Sequence, residues 1–290
     1  MATYGAINGI PLSTVSATML MTLYGRVVDS RSKRPVLDDP KAEEIVAKIN
    51  PSLLASGQKL LRSLGQFKMR DTLAVHTALR ARQYDRYTQE FLSRHPDCTV
   101  VSLGCGLDTR FWRVDNGSIH FFDVDLPEVI QLKRTLVEET DRYHMIGCSV
   151  LAPAWMDEAL AREKPVMVLA EGLFMYLPKA DVQTLVQWLG ERIKQGQLVA
   201  EVVNESYTRG LNAWMLGFKF KYELGLGEWM TYQCGITDSD DMEAWSPHLH
   251  LIDDWFYYDE EPEKVGFVRF LGKIPSIRKV QWTVRYEIKE

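Results

Sequence analysis

The chain has 290 residues, 46% of them hydrophobic and 25% charged, a balance that fits a soluble globular protein long enough to bury a substantial core. Its net charge of -5 argues against a surface built to neutralise phosphate backbones, so nucleic acid is not expected as a partner. The four cysteines are scattered without a C-x-x-C pair, the apolar runs fall short of the roughly 18 residues of a membrane span, and no basic stretch precedes the first apolar run, so the expectation is a cytoplasmic protein with no disulfide framework, metal or membrane.

Residues 1–96 read as a helical cap. In "DDPKAEEIVAKIN", Asp39 is placed to cap a helix whose first position is Pro40. A longer helix from Asp71 sets Leu73, Leu79 or Arg80, Tyr84, Tyr87 and Phe91 at roughly helical spacing and ends at His95-Pro96. Beyond it, the short apolar runs "TVVSL", "IHFFDVD", "YHMIGCSV", "PVMVLAEGLF" and "QLVAEVVN" alternate with helical patterns such as "PEVIQLKRTLVEET" and "KADVQTLVQWLGERIKQ". Strands alternating with helices predict a doubly wound α/β domain over 97–290, its sheet covered on both faces, with a cap insertion at about 205–247. "HLHLIDDW" reads as a strand whose His248 and His250 face solvent, and "KVQWTVRYEIK" as a half-buried antiparallel strand at the sheet edge.

The informative stretch is "VVSLGCGLDTRFWRV". Gly104 and Gly106 fall at the end of the first predicted strand of the sheet, where open α/β sheets bind ligands. A plain strand-to-helix turn would look the same, so the neighbours decide. The dinucleotide fingerprint needs a third glycine at the sixth position, where Thr109 stands, and Asp108 beside the turn would repel a diphosphate while suiting a cationic ligand. Asp125 lies 21 positions after Gly104, close to the offset at which an acid accepts hydrogen bonds from ribose hydroxyls. A nucleoside with no diphosphate and a positive charge near the turn describes S-adenosylmethionine.

"SLGCGLDTRFWRV", "FFDVDLPEVIQLK" and "VLAEGLFMYLP", taken in order, resemble the leucine carboxyl methyltransferase family, as do "YGRVVDSRSKRPVLDDPKAEEI" and "LRARQYDRYTQEFL" upstream. The resemblance implies a class I methyltransferase: a Rossmann-like, seven-stranded sheet with an antiparallel last strand and extra N-terminal helices. It implies S-adenosylmethionine as cofactor and S-adenosylhomocysteine as its product. By the same resemblance Arg80 meets the methionine carboxylate, Asp125 the ribose, and Glu171 with Gly172 the amino and sulfonium end, while Gly104, Cys105 and Gly106 pass the methionine moiety along the backbone. Asp108 orients the turn or its water, Leu126 and Val150 flank the cofactor, and Tyr176 touches cofactor or acceptor. Asp123 stands where the family carries a glutamate. Where many members carry an Asp for the adenine amino group, this chain has Ser149, which accepts a hydrogen bond more weakly.

The expected activity is methylation of a carboxylate or hydroxyl on a small molecule; a protein C-terminal carboxylate, a nicotinamide-dependent oxidoreductase and a non-catalytic cofactor-binding protein are the alternatives. No catalytic base stands out. The acceptor pocket is expected among the aromatic residues Trp214, Phe218, Phe220, Tyr222, Trp229, Tyr232, Trp245, Trp255, Phe256, Tyr257 and Tyr258, each of which could equally be cap core.

Overall fold

The computed structural model describes residues 5–7, 10–12, 14–215, 231–257, 260, 264 and 278–290. It opens with a small antiparallel pair, β1 (Gly5–Ile7) and β2 (Ile10–Leu12), in a segment whose composition reads as helical. The sequence between Ile7 and Ile10 reads Asn-Gly, a dipeptide whose chemistry favours short hairpin connections over a helix. Helices α1 (Thr14–Ser30), α2 (Pro40–Ala55), α3 (Lys59–Gly65) and α4 (Asp71–Arg94) follow. Asp39 caps α2 as expected, accepting from the Ala42 N–H at 3.1 Å.

The chain then alternates: β3 (Thr99–Leu103), α5 (Arg110–Val114), β4 (His120–Asp125), α6 (Pro127–Arg134), β5 (Tyr143–Gly147), α7 (Ala154–Ala159), β6 (Val166–Ala170), α8 (Lys179–Arg192) and β7 (Gln195–Val203). Two further strands, β8 (Leu249–Trp255) and β9 (Gln281–Lys289), complete a seven-stranded sheet of order β5-β4-β3-β6-β7-β9-β8. The first five strands in chain order run parallel, and β9 is antiparallel to both its neighbours. This is an α/β, Rossmann-like sheet. Successive strand residues feed opposite faces: Val100 and Met167 pack with α1, α2 and α4, whereas Val101 and Val168 pack with α7 and α8.

The last strand corrects an expectation. β9 is not at the edge; it is wedged between β7 and β8, with Trp282, Thr283, Val284 and Tyr286 fully buried. Its alternation conceals a buried cation: Arg285 donates to Gln197 Oε1 at 2.9 Å and Glu90 Oε2 at 2.6 Å and lies over the Tyr87 ring, while its Nη2 and the Thr283 hydroxyl are buried without a hydrogen-bond partner among the described residues. The edge belongs to β8, where His250 is exposed and His248, just before the strand, is half-buried with Nδ1 3.2 Å from the Lys289 carbonyl.

Candidate functional site

The turn after β3 is a backbone construction that only glycine fits easily. Gly104 and Gly106 have φ of +63° and +50°. A Cβ on Gly104 would lie 2.8 Å from Leu173 Cδ1, and one on Gly106 2.9 Å from Met19 Cβ. Asp125, at the end of β4, accepts from the Gly106 N–H through Oδ2 and from the Leu126 N–H through Oδ1, both at 2.7 Å. Each carboxylate oxygen keeps a lone pair for a ligand. Asp108 grips the start of α5, accepting from the N–H groups of Thr109 and Arg110 at 2.8 and 3.1 Å. Thr109, at the third-glycine position of the dinucleotide fingerprint, is fully buried and donates its hydroxyl to Asp39.

Above this turn lies a cavity of about 330 Å³ at the carboxyl ends of the strands. All twelve residues singled out from the sequence reach its wall: Arg80, Gly104, Cys105, Gly106, Asp108, Asp125, Leu126, Ser149, Val150, Glu171, Gly172 and Tyr176. Strand order spreads them out. Ser149 and Val150 follow β5, Asp125 ends β4, the glycines follow β3, and Glu171 and Gly172 follow β6. Thr18, Met19 and Thr22 of α1 add a further wall.

A buried ionic chain runs beneath the cavity. Arg26 pairs with Asp39 at 2.9 Å, Asp39 with Arg113 at 2.8 Å, Arg113 with Asp85 at 2.6 Å, and Asp85 with Arg110 at 2.8 Å. Arg110 also reaches Asp108 and, at 2.6 Å, Glu171; Arg80 then joins Glu171 at 2.7 Å to Glu201 at 2.8 Å. Five carboxylates therefore face four guanidiniums, with Asp125 a further acid on the wall. The site carries an excess of negative charge in a region shielded from water, where it favours a ligand of net positive charge.

Burial and pairing pull the acids in different directions. Burial raises Asp125 above the ordinary carboxylate range, with the Gly106 and Leu126 N–H groups acting against it. Burial also works to raise Asp108, but Arg110, Arg113, Arg26 and Lys133 together hold it well below. At Glu171 the same contest ends lower, with Arg80 and Arg110 prevailing over burial. Burial pushes Cys105 far up, so it stays a thiol and packs rather than reacts. Tyr176 is raised to about 12 by burial and by Glu201.

Several wall and network residues were not singled out. Glu201 is the one ionisable residue in β7 and stands within its buried apolar run 198–203, which is the signal that could have found it. Asp85 is the last residue of the "LRARQYD" motif, and Arg110 follows the turn itself. Arg26 and Gln281 carried no local signal. Asp123, by contrast, is not on the wall: it is buried, 2.6 Å from Lys133 Nζ and hydrogen-bonded by the Tyr143 hydroxyl, while Lys133 also donates to the Asp108 carbonyl at 2.8 Å. Of the aromatic residues expected around an acceptor, Tyr232, Trp255, Phe256 and Tyr257 are core, Trp245 is half-buried and Trp214 is exposed. Tyr232 packs against Tyr176 with ring centroids 5.6 Å apart. Phe218, Phe220, Tyr222, Trp229 and Tyr258 lie outside the described residues.

Residues 19–190 match the family model described as leucine carboxyl methyltransferase. The chain is 32% identical over 286 residues to the tetracenomycin polyketide synthesis O-methyltransferase TcmP of Streptomyces glaucescens, covering 96% of this chain and 98% of that one. It is 28% identical to the S-adenosyl-L-methionine-dependent methyltransferase dpfgK of Gibberella zeae, over 67% of this chain and 66% of the relative. Among solved structures, geranyl diphosphate methyltransferase in complex with SAM aligns over 82% of this chain and 94% of that one, with 14% identity and a TM-score of 0.48.

Proposed function

This chain belongs to the leucine carboxyl methyltransferase family and is an S-adenosylmethionine-dependent methyltransferase, and from that premise we propose that it methylates an oxygen, carboxylate or hydroxyl, of a small-molecule acceptor. The observation that carries the reading is the acid excess around the cavity. S-adenosylmethionine bears an ammonium, a sulfonium and one carboxylate, a net positive charge that the donor set fits. O-methylation is further supported by the relative of tetracenomycin polyketide synthesis, whose name specifies that chemistry.

When bound, the cofactor supplies a methyl group made electrophilic by its sulfonium. The chain's residues then have separable tasks. Asp125 accepts from the ribose hydroxyls, Leu126 and Val150 flank the adenine, and Ser149 offers it a hydroxyl. Gly104, Cys105 and Gly106 let the methionine moiety pass close to the backbone. Glu171 opposes the amino and sulfonium charges, and Arg80 receives the carboxylate. Holding nucleophile, methyl and sulfur on one axis can supply about 7 to 11 kcal/mol of the barrier. An acceptor carboxylate is ionised at neutral pH and needs no base, whereas a phenol does. Tyr176, with its hydroxyl raised to about 12, stays protonated at neutral pH and serves as a hydrogen-bond donor at the acceptor side rather than as that base.

Nicotinamide binding is disfavoured because Thr109 packs into Asp39, leaving no glycine gap for a pyrophosphate. A cytoplasmic setting is in keeping with four free cysteines, and no helix among the described residues is long and apolar enough to cross a membrane. The test is calorimetry with S-adenosylhomocysteine and with NAD, followed by a methyl-transfer assay over small carboxylates, phenols and a peptide C-terminus. Binding of S-adenosylhomocysteine but not NAD, then an ester or ether product on a small molecule, is expected. Heat with NAD alone, or transfer only to the peptide, would sink the proposal.

A further inference from the structure

Glu201 occupies a place that stability alone does not explain. It lies fully buried in β7, where an apolar side chain would serve the core as well or better. Three donors converge on it: Arg80 Nη1 at 2.8 Å on Oε2, and on Oε1 the Tyr257 hydroxyl together with Gln281 Nε2 at 2.6 Å. Arg80 does not need it for neutralisation, since Glu171 already pairs with the same guanidinium. What Glu201 adds is direction: Nε is fixed toward Glu171 and Nη1 toward Glu201, which together set the plane of the group. The backbone closes over this arrangement. Gly172 has φ +65°, and a Cβ there would meet Glu201 Oε2 at 3.4 Å and Arg80 Nη1 at 3.5 Å.

Strand order says which part of the ligand this end serves. Asp125 on β4 and Glu201 on β7 are three strand spacings apart, about 14 Å. A nucleoside held at Asp125 leaves the β6–β7 end for the amino-acid part of the cofactor. Among the described residues Arg26 and Arg80 are the guanidiniums on the cavity wall; Arg26 is tied at Nε to Asp39 and at Nη2 to the Leu107 carbonyl, whereas Arg80, held through Nε and Nη1 and standing beside β6 and β7, keeps Nη2 for the ligand.

We propose that Glu201 is a positioning residue for the amino-acid end of the cofactor: braced by Tyr257 and Gln281, it fixes the plane in which Arg80 meets the cofactor carboxylate. The inference rests on the cofactor reading above and adds to it a residue acting through Arg80, tied to the C-terminal segment of the chain.

Calorimetry with two ligands separates this role from a general structural one. Adenosine carries only the nucleoside; S-adenosylhomocysteine carries the amino-acid part as well. Glu201→Gln should weaken S-adenosylhomocysteine by about tenfold or more, the scale of a lost charge-assisted hydrogen bond, and leave adenosine within about twofold. Tyr257→Phe, which keeps the ring and removes one brace, should show the same selective loss to a smaller degree and stands in if the first variant fails to fold. Equal losses for both ligands in the folded variant, or no loss for S-adenosylhomocysteine, would overturn the proposal. A wild-type protein that binds neither ligand would overturn the cofactor reading itself.

Discussion

Replacing Asp39 by alanine tests whether the buried ionic chain is the structural base of the site. Asp39 has no solvent exposure and holds the Ala42 N–H, the Thr109 hydroxyl, Arg26 at 2.9 Å and Arg113 at 2.8 Å. Truncation removes an N-cap worth about 1 kcal/mol. It also leaves two buried guanidiniums short of a partner, at about 3 to 5 kcal/mol when nothing else compensates. Arg26 keeps the Leu107 carbonyl and Arg113 keeps Asp85, so the expected total is near the lower end, about 4 kcal/mol. With an unfolding entropy of about 0.6 kcal/mol/K for a chain this long, the thermal midpoint should fall by about 7 °C at pH 7. Asp39→Asn, which keeps an acceptor oxygen but not the charge, should fall between. Burial pushes the Asp39 carboxyl up, but Arg26, Arg113 and the Thr109 and Ala42 donors outweigh it, and the net shift is downward. A carboxyl lowered on folding contributes stability that is present above its unfolded value and lost as pH falls through the folded one. The difference between wild type and Asp39→Ala should therefore be constant from pH 7 to 5 and shrink only below about pH 4. Scanning calorimetry across that range is the assay. A drop under about 3 °C at pH 7, or a gap that closes above pH 5, would refute the assignment of a charged, supporting role.

Asp125 should behave in the opposite sense, because burial raises it: affinity for S-adenosylhomocysteine should weaken on acidification before the fold is lost, while Asp39, Asp108 and Glu171 are still ionised. Calorimetry at stepped pH would show it, and Asp125→Ala should remove several-fold to about a hundredfold of affinity, with that pH dependence abolished. Gly106→Ala should cost about 1 to 2 kcal/mol from its positive φ alone and force Met19 away from the turn, so both the thermal midpoint and S-adenosylhomocysteine affinity should drop. Ser149 is exposed, its hydroxyl accepting only the Leu151 N–H at 3.2 Å, and Ser149→Asp should tighten adenosine binding about fivefold by titration.

The parts of this fold that could be read from the sequence are those whose cause is local. The five apolar runs became β3 to β7 because parallel strands covered by helices are nearly continuous in hydrophobicity, and Asp39-Pro40 marked a helix start because capping is a matter of adjacent residues. β9 was legible as a strand and as antiparallel, but not in its position. Its polar members mimic solvent exposure, and only the partners Gln197 and Glu90, far away in the chain, reveal that Arg285 is inside. The same limit applies to the site. Glycines, Asp125 and Glu171 announce themselves at strand ends, whereas Arg26, Asp85 and Glu201 act through pairs separated by tens of residues, which no local pattern encodes.

Those long-range pairs also determine where the site's charge resides. Arg26, Asp39, Arg80 and Asp85 come from the helices before β3, two positive and two negative; Asp108, Arg110, Arg113, Glu171 and Glu201 come from the sheet segment, two positive and three negative. Five of the contacts cross between the two sets: Arg80 to Glu171 and Glu201, Arg113 to Asp39 and Asp85, and Arg110 to Asp85. Separating the sets would leave each with buried ions whose partners lie in the other, a cost far above what exposed pairs involve. The helical set is neutral, so the negative excess that favours a cationic ligand belongs to the sheet segment, but the pairing that keeps its ions buried does not. Where α4 and the N-terminus of α2 close on the turn after β3 they supply partners for Arg110, Arg113, Glu171 and Glu201, and the helices are part of the binding chemistry as much as a cover over it.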